Sequence, residues 1–156
     1  MTKDQFISLI RTIVVQAKKL KDKHTDQVQA LVNYACIFCQ SGEEFEEFKN
    51  RAQELGEVIK QTSTGPLFYL NPPIQTISGP LRLLKIRQPD PTRPERGDAD
   101  FTIDNHQRFK ERYLNQPGFK LITRPEFEMI ELMDSEFDVR TYFSHPTLEE
   151  LLDLSN

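Results

Sequence analysis

From residue 3 to about residue 22 apolar positions recur with a helical period: Phe6, Leu9, Ile10, Ile13, Val14, Ala17 and Leu20. This spacing predicts an amphipathic helix. Thr2 and Gln5 have the spacing of a capping box at its start. Lys18, Lys19, Lys21 and Lys23 gather at its end, where cations suit the helix dipole, and read as a solvated helix end. Residues 26–33 fit either a helix or a linker. Tyr34 to Cys39 reads as a short buried strand. Ser41 and Glu44 then frame a second helix as a capping box, with Phe45, Phe48, Ala52 and Leu55 as its apolar stripe and Gly56 as its C-terminal cap. Glu57 to Thr62 is a strand and Ser63 to Pro66 a turn. Leu67 to Leu70 is a strand broken by Asn71-Pro72-Pro73, and Leu81 to Gln88 closes the first half.

The stretch from Gly79 to Asp104 reads as a strand, a proline-rich bridge and a second strand, a hinge between two half-sites. Beyond it the same order returns. Ala99 to Ile103 is a strand. Asp104 caps a helix carrying Phe109 and Tyr113, which Pro117-Gly118 ends. Phe119 to Thr123, Phe127 to Met133 and Phe137 to Phe143 are three further strands, and Pro146 to Leu152 forms a closing helix. Tyr34-Ala35-Cys36-Ile37 matches Asp100-Phe101-Thr102-Ile103 in place, each followed by a capped helix with phenylalanines. The expected fold is therefore α+β: two βαβββ modules forming a curved mixed sheet around a cleft, with helices outside. Residues 1–32 are a helical extension and residues 33–156 the paired domain. Within that domain, module one spans 33–88, module two 98–144 and the C-terminal helix 146–153.

The 156 residues are 37% hydrophobic and 28% charged, which suits one folded domain with a core. A net charge of −4 gives no reason to expect nucleic acid as a partner. No apolar run approaches the roughly 20 residues that span a bilayer, so no membrane partner is expected. With no signal-peptide pattern at the N-terminus, the reading is cytoplasmic. Locally the charge reverses: between Gly79 and Arg96 stand five cations (Arg82, Lys85, Arg87, Arg93, Arg96) against Asp90 and Glu95.

Strand alternation sorts these charges onto faces. Ala35 and Ile37 share one face, Tyr34, Cys36 and Phe38 the other. Phe101 and Ile103 oppose Asp98, Asp100 and Thr102. Phe137, Val139 and Phe143 oppose Asp138, Arg140 and Tyr142. If the apolar faces meet the helices, the polar faces converge on the cleft. Glu131 shares its face with Phe127, Met129 and Met133. Lys85 and Arg87 alternate with Leu81 and Leu83, and with Arg140 and Tyr142 they line an anion-binding cleft. The competing reading is an internal ion-pair network with Asp98, Asp100 and Glu131. Cys36 and Cys39 have CxxC spacing, but three positions apart on a strand they face opposite ways and read as packed thiols. His24, His106 and His145 have no metal spacing, and no nucleophile-elbow, P-loop or dinucleotide motif is present.

The twofold βαβββ order resembles the vicinal oxygen chelate superfamily of glyoxalase I, extradiol dioxygenases and bleomycin-resistance proteins. It is most similar to the small YecM-type bacterial proteins, through the N-terminal helix, the proline-rich link and the tail His145-Pro146-Thr147-Leu148-Glu149-Glu150-Leu151. In active members a divalent metal is held from the first and a late strand of each module. The resemblance places those slots at Tyr34, at Lys85 or Arg87, at Asp100, and at Glu131 or Arg140. Cations at metal slots repel a divalent ion, so no metal and no other cofactor is expected. The first reading is a metal-free binder of a small anionic organic molecule, using Tyr34, Lys85, Arg87, Asp100, Glu131, Arg140 and Tyr142, with no catalytic residue assigned. One alternative is a divergent lyase, isomerase or dioxygenase with Asp100 and Glu131 on a metal, or Tyr34 as acid/base. Another is a ligand-free protein that forms a homodimer through its sheet edge.

Overall fold

A computed structural model of the chain describes residues 1–154. Helix α1 spans Lys3–His24 and is followed by strand β1 (Val32–Phe38), helix α2 (Gly42–Gln53), and strands β2 (Gly56–Thr62), β3 (Gly65–Thr76) and β4 (Gly79–Arg87). The second module runs β5 (Gly97–Phe101), α3 (His106–Tyr113), β6 (Phe119–Thr123), β7 (Glu128–Leu132) and β8 (Val139–His145), and α4 (Leu148–Leu151) ends it. All eight strands form one open sheet in the order β2-β3-β4-β1-β5-β8-β7-β6. β1 is parallel to β4, β5 is parallel to β8, and β1 and β5 meet antiparallel at the module junction. The two βαβββ units thus enter the sheet head to tail.

Period and capping explain α1. The Thr2 side chain accepts from the Gln5 backbone N–H while Gln5 reaches back to the Thr2 N–H. Phe6, Ile10, Ile13, Val14, Ala17 and Leu20 are buried across β8, β5 and β1. Each of these side chains other than Ala17 contributes roughly 1.5–3 kcal/mol of burial. The expected extension is therefore part of the core, and it covers the convex face of the central strands. The basic cluster at its end is only partly solvated: Lys19 and Lys23 are exposed, while Lys21 is not. Lys21 is fully buried, its ammonium 2.6 Å from Asp22 Oδ1, bonded to the Gln27 carbonyl and 5.2 Å from the Phe101 ring centroid. Lys23 pairs with Asp134 at 2.7 Å and Glu136 at 3.0 Å.

Four local expectations change. Ser41 accepts from the Glu44 N–H as the N-cap of α2, but Glu44 returns to the Gln40 N–H rather than to Ser41. Gly56 is no helix cap; it opens β2, where a Cβ would stand 2.0 Å from the Tyr69 carbonyl oxygen. β3 runs through Asn71-Pro72-Pro73 instead of breaking there, with a bulge between Tyr69 and Ile74. Pairing with β2 ends at Leu70, so the prolines' missing N–H groups cost no ladder bond on that side. Asn105, not Asp104, caps α3 by accepting from the Arg108 N–H.

Candidate functional site

The concave face of the sheet carries the site. Strand register sets its residues in two rows. In the first, Tyr34 on β1 stands opposite Asp100 on β5, Asp100 opposite Tyr142 on β8, and Tyr142 opposite Glu131 on β7. In the second, Lys85 on β4 stands opposite Cys36, Cys36 opposite Asp98, and Asp98 opposite Arg140. One face of four central strands therefore presents alternate residues from both modules to a common cleft of about 370 Å³. Tyr34, Lys85, Arg87, Asp100 and Tyr142 line it, as expected from the sequence. So do Asp98, Ser144 and Arg93 of the proline-rich bridge, with Lys60 and Thr62 of β2 on one rim and Ile122 of β6 and Arg124 just after it on the other.

Arg140 and Glu131 belong to a separate network beside the cleft. Arg140 Nε donates to Glu95 Oε1 at 2.6 Å, its Nη1 to Glu131 Oε2 at 3.3 Å, and its Nη2 to the Thr92 carbonyl at 3.1 Å. The Tyr142 hydroxyl donates to Glu131 Oε2 at 2.6 Å and accepts from Arg93 Nη1 at 3.3 Å. The guanidinium of Arg140 is thus committed to the protein rather than to the cleft. Its partners are Glu95 and Glu131, not the Asp98 and Asp100 that strand alternation brings near. Glu131 does share its face with Phe127 and Met129, and both of those side chains also line the cleft.

The two aspartates are the unusual groups. Asp98 is buried, and its Oδ1 has no hydrogen-bond partner among the described residues. Burial pushes its carboxyl up to about 7, with the Asp100 charge adding and Arg93, Lys85 and Arg87 opposing. Asp100 is pushed up to about 6 by burial, held back by hydrogen bonds from the Ser144 hydroxyl and N–H and from Asn33 Nδ2 at 3.0 Å. Lys85 is held below its usual range by burial, with Arg87 and Arg93 adding to the shift. Among the described residues its ammonium makes no hydrogen bond. Arg87 pairs loosely with Asp90 at 3.4 Å, and its Nε is buried without a partner.

The remaining candidates fall away from the cleft. Cys36 lies under it and Cys39 in the core on the opposite face, and burial raises both thiols, Cys39 to about 12. His106 is buried with Nε2 3.1 Å from the Phe143 carbonyl, its ring stacked on His145, while His24 meets Asp134 at 2.8 Å. Arg82 sits in a separate hollow with Asn33, Thr102, Glu149 and Glu150. The alternation on β4 slips, because Leu81, Leu84 and Ile86 join the core cluster and Leu83 does not. Arg93 is the residue sequence reading missed. It lies on no strand, so no periodicity marks it; its only signal was membership in the local basic run.

The metal slots implied by the sequence resemblance hold Tyr34, Lys85 or Arg87, Asp100, and Glu131 or Arg140. Among the described residues no three His, Cys, Asp or Glu side chains are grouped to hold a metal ion. An ammonium, a guanidinium and a tyrosine whose hydroxyl burial holds protonated are poor donors for a divalent cation. This donor set does not fit the metal.

No protein-family model and no curated protein matches the sequence. Among solved structures the chain is similar to a structural-genomics protein, EC4020, with a TM-score of 0.72 at 12% identity, covering 98% of this chain and 92% of that one. It is more distantly similar to a glyoxalase/bleomycin resistance protein/dioxygenase superfamily member from Vibrio splendidus 12B01, with a TM-score of 0.48 at 10% identity over 74% of this chain and 97% of that one. A point mutant of glyoxalase I from Zea mays gives a TM-score of 0.39 at 12% identity over 76% of this chain and 45% of that one. The first of these likenesses bears on the fold, and none of them bears on the chemistry.

Proposed function

We propose that this chain is a vicinal-oxygen-chelate-like protein of the YecM type whose cleft binds a small anionic organic molecule without a metal. The observation that carries the reading is unspent positive charge. Lys60, Lys85, Arg87, Arg93 and Arg124 line the cleft against Asp98 and Asp100, and burial pushes both of those carboxyls toward their neutral forms. Among the described residues Lys85 and Arg87 keep donors with no protein acceptor, as a site waiting for an acceptor would. Tyr34, Asp100 and Tyr142 complete the lining, and the Glu131–Arg140–Glu95 network supports Tyr142 from behind.

A charge-assisted hydrogen bond is worth about 1.5–3 kcal/mol. Lys85→Met and Arg87→Met should therefore each weaken anion binding roughly ten- to a hundredfold. Lys19→Met, on the exposed side of α1, should leave it unchanged. A melting-point screen of organic carboxylates and phosphates finds the binders, because a ligand of the native state raises stability. Titration of the best one into each variant tests the site. If no anion shifts the melting point at millimolar concentration, or if Lys85→Met and Arg87→Met bind as well as the parent, the reading is wrong.

A further inference from the structure

The cleft has two unlike walls. Four of its five cations come from β2, β4 and the bridge, and the fifth, the exposed Arg124, follows β6 at the rim. Facing them, Ile122 of β6, Phe127 and Met129 beside and on β7, and Leu148 and Leu151 of α4 supply an apolar wall. None of these five side chains belongs to the hydrophobic core or packs against it. On β6, Phe119 and Leu121 already meet the core, so Ile122 stands on the face of an edge strand where a polar residue is the usual choice. On β7, Ile130 and Leu132 are core while Met129 looks the other way. Leu151 is 37% exposed. Apolar groups gathered on one wall of a concavity, opposite converging charges, are the lining of a ligand site rather than of a core.

We propose that the ligand is an amphipathic organic monoanion. Its carboxylate is received by Lys85, Arg87 and Arg93. Its apolar body, a medium-length chain or a single ring, lies on Ile122, Phe127, Met129 and Leu151. A cleft of about 370 Å³ suits a ligand of that size. Two features set the charge of the head group. Arginine and lysine favour an anion, and the share of Asp98 and Asp100 that stays ionised beside them disfavours a doubly charged one. This inference rests on the anion-binding reading above and extends it to the other wall.

Isothermal titration of the full chain with octanoate, acetate and inorganic phosphate separates the two ideas. Each methylene buried is worth about fourfold in affinity. If half of octanoate's additional methylenes are buried, it should bind roughly sixtyfold tighter than acetate. Leu151→Ser and Ile122→Thr, which add no charge, should each cut octanoate affinity about tenfold and leave acetate and phosphate as they were. Ile122→Thr keeps a β-branched residue on an edge strand, so it reads the wall even if a serine on α4 disturbs the tail. Equal affinities for octanoate, acetate and phosphate would leave the anion site standing and overturn the apolar seat. So would octanoate binding untouched by both wall variants. Octanoate affinity unchanged in both Lys85→Met and Arg87→Met would overturn the placement of the head group. If none of the three probes binds, both readings fall together.

Discussion

Asp98 and Arg140 stand opposite each other on β5 and β8, yet the guanidinium turns to Glu95 and Glu131 and leaves the aspartate Oδ1 unpartnered. That choice decides what each residue does. Arg140→Met would strand two buried carboxylates, and breaking a buried pair from one side costs about 3–5 kcal/mol. A melting curve of Arg140→Met should show that loss. Asp98 behaves oppositely. Its pKa of about 7 in the folded chain exceeds its ordinary value of 3.8, so the folded state holds the proton more tightly. The stability this adds is complete below pH 4 and is lost as pH rises through 7. The charged groups facing it are Lys85 and Arg87 from β4, Arg93 from the bridge and Asp100 on its own strand, and the neutral titratable ones are Cys36 and Tyr34 from β1 and Tyr142 from β8. His106, whose pKa burial lowers, works in the other sense over the same range. The difference between wild type and Asp98→Asn therefore isolates the carboxyl: in melting curves at pH 5 and pH 8, the variant should gain relative stability at pH 8. Five of the seven candidate side chains reached the cleft because a period of two on a strand is readable in letters. Which acceptor Arg140 would choose was not readable, since Glu95 comes from the irregular bridge.

Among the elements, the junction of β1 and β5 leaves no room for an added side chain at Gly97. A Cβ on Gly97 would lie 2.2 Å from the Cys36 carbonyl oxygen and 3.0 Å from Ile13 Cδ1, with backbone on one side and α1 on the other. Gly97→Ala should therefore destabilise by about 1–3 kcal/mol through overpacking, measurable as a lower denaturant midpoint with unchanged slope. Helices were the most legible elements, as the stripe of α1 and its Thr2–Gln5 box show. Their signals are local and repeated. β3 was misread at Pro72-Pro73 because a proline breaks a strand only where a neighbour needs its N–H, and no local sequence tells where β2 stops pairing.

For the molecule as a whole, the paired modules followed from element order, but the role of α1 did not. Nothing in its own residues says which surface it covers. Deleting residues 1–24 would bare the convex face of β1, β5 and β8. The five large side chains Phe6, Ile10, Ile13, Val14 and Leu20, at roughly 1.5–3 kcal/mol each, are comparable with the roughly 5–15 kcal/mol that ordinarily holds a domain together. The truncated chain should show no cooperative thermal transition by circular dichroism. The same packing has a consequence in time. The Thr141 hydroxyl donates to the Ala17 carbonyl across 124 positions of sequence. A ribosome releases Ala17 long before it has made Thr141, so the first helix emerges with its apolar stripe and no bed to lie on. Closure waits for β8, long-range pairing makes it slow, and through that interval the stripe of α1 is apolar surface left open to aggregation.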